Sequence, residues 1–321
     1  MYKKGGADLK TALGGTFPTS AGADYPGGYN LLPSYKTNGV SMDVALKGCR
    51  PIGVPLKDVG AGSYVVYRSG DKTYFVSGTQ PTGGEELPHS PQYVFFELQG
   101  AGGGGGGSVN LYSGSGGGSG AYFFGVIKID EPIYIVVGEG GAGGKGKTSG
   151  KGNDGLEGST SSITTSFNST AYVLKAQSGR GGDGGNNGNN GGPGGQYIFT
   201  PETLDDLTSC KIVTMLNGAH GGARRTSPDE TNAMGEVTNN WLKPEGGSFT
   251  RPGGTGGYSN DTAGYGGGGA ASVFGDGGGG GYQHDGYASE AYGAGGGAAG
   301  NYVGRPSDGA KGSDGRFILY Y

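Results

Sequence analysis

The most recognisable chemical spacing in the chain is Gly141-Ala142-Gly143-Gly144-Lys145-Gly146-Lys147-Thr148, a formal match to the phosphate-binding loop G-x-x-x-x-G-K-T. It follows an apolar run, Ile133-Tyr134-Ile135-Val136-Val137, that reads as a strand. Such a loop works by aiming its amides, and the N-terminus of the next helix, at a phosphate. The continuation SGKGNDGLEGSTSS holds four more glycines and no helical periodicity. Nucleotide binding is therefore not expected.

Other chemistries have weaker footprints. His89, His220 and His284 are isolated, with no second histidine or cysteine at metal-ligand spacing, so no metal and no cofactor is expected. No Gly-x-Ser-x-Gly nucleophile elbow occurs. Asp205, Asp206, Asp229 and Glu230 fall in loops or at a helix start, where capping and solvation explain them. No catalytic residue is assigned, and the chain is not expected to be an enzyme. Aromatic residues are more informative, with 21 tyrosines against 11 phenylalanines and a single tryptophan. Tyr258, Tyr265, Tyr282, Tyr287, Tyr292 and Tyr302 sit within glycine tracts, where a ring with a polar tip can stack on a sugar, pack at an interface, or cover glycine backbone. The segment 217–247 holds Trp241 and the Arg224-Arg225 pair among turn-forming residues. Trp241, Arg224, Arg225, Tyr282 and Tyr287 are the candidate recognition residues, with subunit packing as the competing role for the 217–247 loop.

The elements that must position these groups are set by glycine, 80 of 321 residues. Three times an apolar run empties into glycine: YVFFELQ before Gly102, Gly103, Gly104, Gly105, Gly106 and Gly107, then IYIVVGEGGAGG, then AYVLKAQSGRGGDGG. A further run is Gly266, Gly267, Gly268 and Gly269. Glycine adds nothing to an apolar core and loses the most backbone freedom on ordering. A folded chain that keeps so much of it must pack backbone against backbone. Collagen is excluded, because no strict Gly-X-Y period exists and prolines number only 15. Polyglycine-II-like segments, whose N–H and C=O groups bond sideways to neighbours, are the expected ordered form.

Strand-length apolar runs lie at 93–99, 121–129, 133–138, 161–167, 171–176 and 316–321, with a hairpin over 63–78 turning at Ser69-Gly70-Asp71-Lys72. Alternation puts Val94, Phe96 and Leu98 on one face, with Phe123, Ile127 and Ile129 as partners, and Phe317, Leu319 and Tyr321 on one side of the last run. Glu131-Pro132 is compatible with a tight antiparallel connection between the second and third runs. One helix is expected over 200–209, with Thr200 as N-cap and Pro201 in the first turn. The expected fold is mainly β: residues 1–90 as an extended arm with a small β attachment domain, then 91–321 as a glycine-rich β-sandwich with polyglycine-II-like segments. Net charge is −4 with scattered basic residues, which argues against a nucleic acid or an anionic membrane as partner. The amino terminus MYKKGGADLK has no apolar core region, so no signal peptide is expected, and no stretch approaches membrane-spanning length. Cys49 and Cys210 form no recognisable framework and are expected to be free thiols in a reducing compartment.

Three elements together carry a resemblance. A strand runs into Gly100-Ala101-Gly102-Gly103-Gly104-Gly105, Val137 to Gly144 reads Val-Gly-x-Gly-Gly-x-Gly-Gly, and Gly312 to Tyr321 closes as Gly-x-x-Gly-strand. Residues 92–321 in this order resemble the glycine-rich domain of bacteriophage tail-fibre and minor tail proteins. The resemblance implies a virion structural protein, made in the host cytoplasm, that presents a rigid domain for host attachment. Its implied partners are other tail proteins through residues 1–90, a host-surface glycan or protein, and further copies of itself, with a trimer favoured. The alternatives are a purely structural fibre or capsid-decorating protein, and a bacterial surface adhesin.

Overall fold

The computed structural model describes residues 57–87, 91, 93–110, 112–167, 170–185, 190–200, 210–223, 264–301 and 305–320, together with short strands before residue 57. Those short strands are β1 (Tyr2–Lys4), β2 (Ala7–Asp8), β3 (Lys36–Thr37), β4 (Val40–Ser41) and β5 (Arg50–Pro51), paired β2-β1-β5 and β3-β4. The described residues contain strands and no helix, so the fold is mainly β as expected. Of the expected helix, Thr200 ends a strand and 201–209 lie outside the described residues.

Two antiparallel sheets face each other. The first has the order β16 (Cys210–Leu216), β11 (Tyr122–Lys128), β10 (Tyr93–Gln99), β17 (Arg316–Tyr320), β6 (Lys57–Val59). The second runs β15 (Tyr197–Thr200), β14 (Thr170–Ala176), β13 (Ser161–Phe167), β12 (Ile133–Val137), β7 (Gly62–Ser69), β8 (Lys72–Ser77), β9 (Glu85–Glu86). Strands from both sides of residue 90 share these sheets, since β6 pairs with β17 and β7 with β12. Period-two alternation fixes the register: Val94 lies opposite Ile127 and Leu98 opposite Phe123, and both pairs, with Phe96, Phe317 and Leu319, enter the buried core. The β7–β8 hairpin turns through Gly70 at φ +60°, the left-handed first position that a two-residue turn of this kind demands. The link through Glu131-Pro132 does not make the expected antiparallel hairpin. It carries the chain from one sheet to the other, with Ile129 and Ile133 both buried in the core between them.

At one end of this sandwich the strands continue as glycine segments: β10 into 100–108, β12 into 138–147, β14 into 177–185, while 114–121 leads into β11 and 305–315 into β17. In segment 101–108 successive amides serve different neighbours. Gly102, Gly105 and Ser108 donate to the carbonyls of Ser313, Ala310 and Ser307; Gly103 and Gly106 donate to Gly118 and Ser115; Gly104 and Gly107 donate to Leu156 and Asn153. The carbonyls repeat the pattern, with Ala101, Gly104 and Gly107 accepting from Gly179, Gly182 and Gly185. Gly102 and Gly105 accept from Gly141 and Gly144, and Gly103 and Gly106 from Gly296 and Ala299. The segment is thus surrounded by antiparallel neighbours to which it donates and parallel neighbours from which it accepts, each addressed at every third residue. Segment 114–121 is enclosed in the same way, donating to 293–299, 177–183 and 219–222.

Glycine is required by this closeness. A Cβ on Gly103 would sit 2.0 Å from the Arg180 carbonyl oxygen, and one on Gly116 2.0 Å from that of Gly268. Outside positions escape the constraint at the same period of three: Glu139, Ala142 and Lys145 are exposed while Gly141 and Gly144 are buried. The edge uses its side chains to complete the lattice. Asp154, Asp308 and Asp314 accept the amides of Gly184, Gly146 and Gly140 at 2.7, 2.9 and 2.8 Å, and each also pairs with a lysine: Lys151, Lys145 and Lys311.

These caps make an acid-sensitive edge. Partial burial pushes each carboxyl upward, but the glycine amide and the lysine outweigh it and hold all three below their ordinary value of 3.8. A carboxyl whose folded value is depressed stabilises the fold fully above its unfolded value and loses that contribution as pH falls through the folded one. The melting temperature is therefore expected to hold from neutral pH down to about pH 5 and to fall below about pH 4. The triple variant Asp154→Asn, Asp308→Asn, Asp314→Asn should flatten that acid limb in a thermal-unfolding series. An unchanged limb would place the acid sensitivity elsewhere.

Candidate functional site

The glycine lattice has two ends, and they differ in what they carry. At the sandwich end the turns are pinned inward. Arg316 donates to both oxygens of Asp58 at 2.8 and 2.5 Å, and its guanidinium lies between the rings of Phe274 and Tyr292, 4.7 and 4.6 Å from their centroids. The turns bearing Phe274 and Tyr292 are thereby fastened to β17 and β6.

The far end collects the segment termini. Ser108 meets Lys147 and Ser307, Gly185 meets Gly107, and Asn301 donates its amide to Gly264 and its side-chain nitrogen to the Asn110 carbonyl. Ala223 and Gly264, the described residues that flank 224–263, belong to this level: Gly222 bonds Gly116 and Gly268, and a Cβ on Gly264 would approach the side chains of Asn301 and Ser113. Trp241, Arg224 and Arg225 themselves lie outside the described residues.

Tyr282 and Tyr287 are brought together at this same far end by one turn, 282–287. Tyr282 stacks on Tyr265 with centroids 4.5 Å apart and planes at 14°. Tyr265 is buried, so it supports the stack and offers no surface of its own. Gln283 donates from Nε2 to the Tyr282 hydroxyl at 3.1 Å. His284 Nδ1 lies 2.7 Å from the Asp285 carbonyl oxygen, which can only accept, so Nδ1 carries the proton. In the neutral ring His284 Nε2 is then the acceptor, and the Tyr287 hydroxyl, 3.1 Å away, donates to it. Tyr282 and Tyr287 are left 38% and 56% exposed. Sequence reading found the two tyrosines, set His284 aside as an isolated histidine, and missed Gln283 and Asp285. The available signal was four consecutive polar or aromatic residues, Tyr-Gln-His-Asp, between the run Gly277–Gly281 and Gly286.

The phosphate-loop pattern has no free cradle. Gly141, Gly144 and Lys147 donate their amides to Gly102, Gly105 and Ser108, and Gly140 and Gly146 donate to Asp314 and Asp308. Lys145 reaches Asp308 at 2.6 Å. Among the described residues no group of three or more His, Cys, Asp or Glu side chains could hold a metal ion.

Residues 79–321 match the profile of a family described as a glycine-rich domain. The chain belongs to this glycine-rich domain family. No curated protein matches it. Within the glycine-rich domain, both the strands of the sandwich from β9 onward and the whole lattice fall inside the matched residues. The domain thus consists of an apolar sandwich that anchors a backbone-bonded lattice, and its side-chain chemistry is confined to edges and ends.

Proposed function

We propose that this chain is a structural protein of a bacteriophage virion, a tail-fibre, tip or minor tail component whose glycine-rich domain presents its far end to a host surface. The observation that carries the reading is the gathering of several irregular segments at one end. Val109, Asn110 and Tyr112, the 282–287 turn and the residues flanking 186–189, 224–263 and 302–304 all gather at the lattice end remote from the sandwich. A lattice tied in several directions at once holds that end rigid, and rigid scaffolds bearing variable loops suit recognition. Residues 1–90 would dock on other tail proteins, the receptor is a surface glycan or protein, and the chain works without catalysis as a homo-oligomer, a trimer being favoured.

A second reading, a purely structural fibre or capsid-decorating protein, is favoured by one feature. The outer face of the seven-stranded sheet leaves Tyr134 and Val136 of β12 exposed, and Ile198 three strands away, and exposed apolar groups are what subunit contacts bury.

The test is binding of the labelled full chain to a panel of intact bacterial cells, beside the variant Arg224→Ala, Arg225→Ala, Trp241→Ala. Saturable binding weakened about tenfold or more in the variant is expected, as for loss of an aromatic and arginine hot spot. Absence of binding to every cell type would transfer the weight to the structural role.

A further inference from the structure

Glycine is the residue that takes a left-handed backbone without cost, and this chain has 80 of them. Gln283 nevertheless holds φ +56°, the only non-glycine residue at positive φ among the described residues. A strained backbone at a position glycine would suit points to a side chain needed for something other than the fold. Its amide carries no structural duty beyond the bond to the Tyr282 hydroxyl on the neighbouring residue.

The surroundings are fixed before any ligand arrives. Gly281 donates to Ala298, Tyr287 to Gly279 and Gly286 to Asp308, while the His284 carbonyl accepts from Gly300 and Asp285 Oδ1 from the Asp308 amide. Tyr282 is held by its stack on buried Tyr265, and Tyr287 by its bond to His284. The groups still able to bond outward are the Gln283 Oε1 and its second N–H, the Tyr282 O–H hydrogen, the oxygen of the Tyr287 hydroxyl and Asp285 Oδ2. These are mixed donors and acceptors beside exposed aromatic rings. Lys145, whose charge acts on Asp285, is already paired with Asp308, so it is not free to hold a phosphate or a carboxylate at this turn.

We propose that the 282–287 turn is a binding site for neutral hexopyranose units, with Tyr282 as the stacking platform and Gln283, Asp285 and Tyr287 reading the hydroxyls. A pyranose ring offers an apolar C–H face to an aromatic ring and hydroxyls that both donate and accept, which is the complement of this set. The site deepens the reading given above, in which the far end meets a host surface, and rests on it for its biological setting.

The experiment is saturation-transfer NMR on the full chain with the methyl glucoside, galactoside and mannoside as probes, and methyl glucuronide as the charged control. Tyr282→Ala removes the platform. Gln283→Gly removes the amide while giving the left-handed position the residue that suits it, so this variant should fold with an unchanged or higher melting temperature. At least one hexoside is expected to bind saturably, about tenfold more weakly in each variant, with the glucuronide weaker than the neutral sugars. No transfer from any neutral hexoside, or equal transfer in both variants, overturns the site. Cell binding by the same proteins separates the two proposals. Cell binding that survives both substitutions leaves the host-attachment reading standing and overturns the sugar site as its means. Hexoside binding by a chain that attaches to no cell supports the site and overturns only its setting.

Discussion

Gly104→Ala is expected to destabilise the protein by at least about 3 kcal/mol, although it adds a single methyl group. The new Cβ would lie 2.1 Å from the Ala142 carbonyl oxygen and 2.5 Å from its carbon. Neither is the end of a flexible side chain. Both belong to a backbone segment that is itself bonded on other sides, so relief requires moving Gly141 and Gly144 off Gly102 and Gly105. Gly60→Ala is the matched control, because a Cβ there meets nothing within 4 Å and its backbone is not left-handed. That change should stay within about 0.5 kcal/mol of wild type. Chemical denaturation of the three proteins measures both values, and equal stability of all three would disprove close backbone packing at Gly104.

Phe96→Ala should cost about 3–5 kcal/mol, the range for truncating a fully buried aromatic residue, and its effect should reach beyond the sandwich. The lattice cannot stand alone. Each sideways hydrogen bond gives about 1 kcal/mol net, while ordering a residue costs about 1–2 kcal/mol of backbone entropy. Apolar burial between the sheets must make up the difference, and β10 runs without a break from Phe96 into Gly100. Hydrogen exchange should therefore show the amides of Gly103 and Gly106 losing protection in Phe96→Ala along with those of β10 and β11. Lattice amides that keep wild-type protection would show that the two parts unfold separately.

The sandwich was legible in the sequence wherever side chains alternate. Val94, Phe96 and Leu98 pointed to one face because a strand has period two, and the expected partners Phe123 and Ile127 lie opposite Leu98 and Val94. Four strands of the two sheets escaped notice for reasons of length and punctuation, and Lys57–Val59 and Glu85–Glu86 are only three and two residues long. Tyr197–Thr200 is four residues long and runs into Pro201, which reads as a helix start, and that expectation drew attention from Cys210–Leu216 just beyond it. The arrangement of the lattice was not legible at all. One glycine run can bond sideways to any other, so composition announces backbone packing without naming partners. What selects them is the sandwich, which delivers each segment at a fixed place. At the candidate site the same limit applied. Tyr282 and Tyr287 were visible as aromatics among glycines, but Gln283 and His284 gain meaning only from a backbone angle and from bonds that folding creates.

The three-residue addressing of segment 101–108 gives the lattice something like a reading frame. One glycine inserted after Gly103 would turn every later residue by a third of a revolution, so the amide meant for the 115–118 neighbour would face 153–156 instead. In an edge segment such as 138–147 the same insertion would swing outward side chains, Ala142 and Lys145, onto backbone that has no room for a Cβ. Two residues would fail in the same manner, whereas three would restore every donor to its acceptor one step further on. Length changes within the segments are thus tolerable only in triplets. Changes beyond their far ends face no such arithmetic, which leaves the loops there free to vary in length while the scaffold beneath them keeps its register.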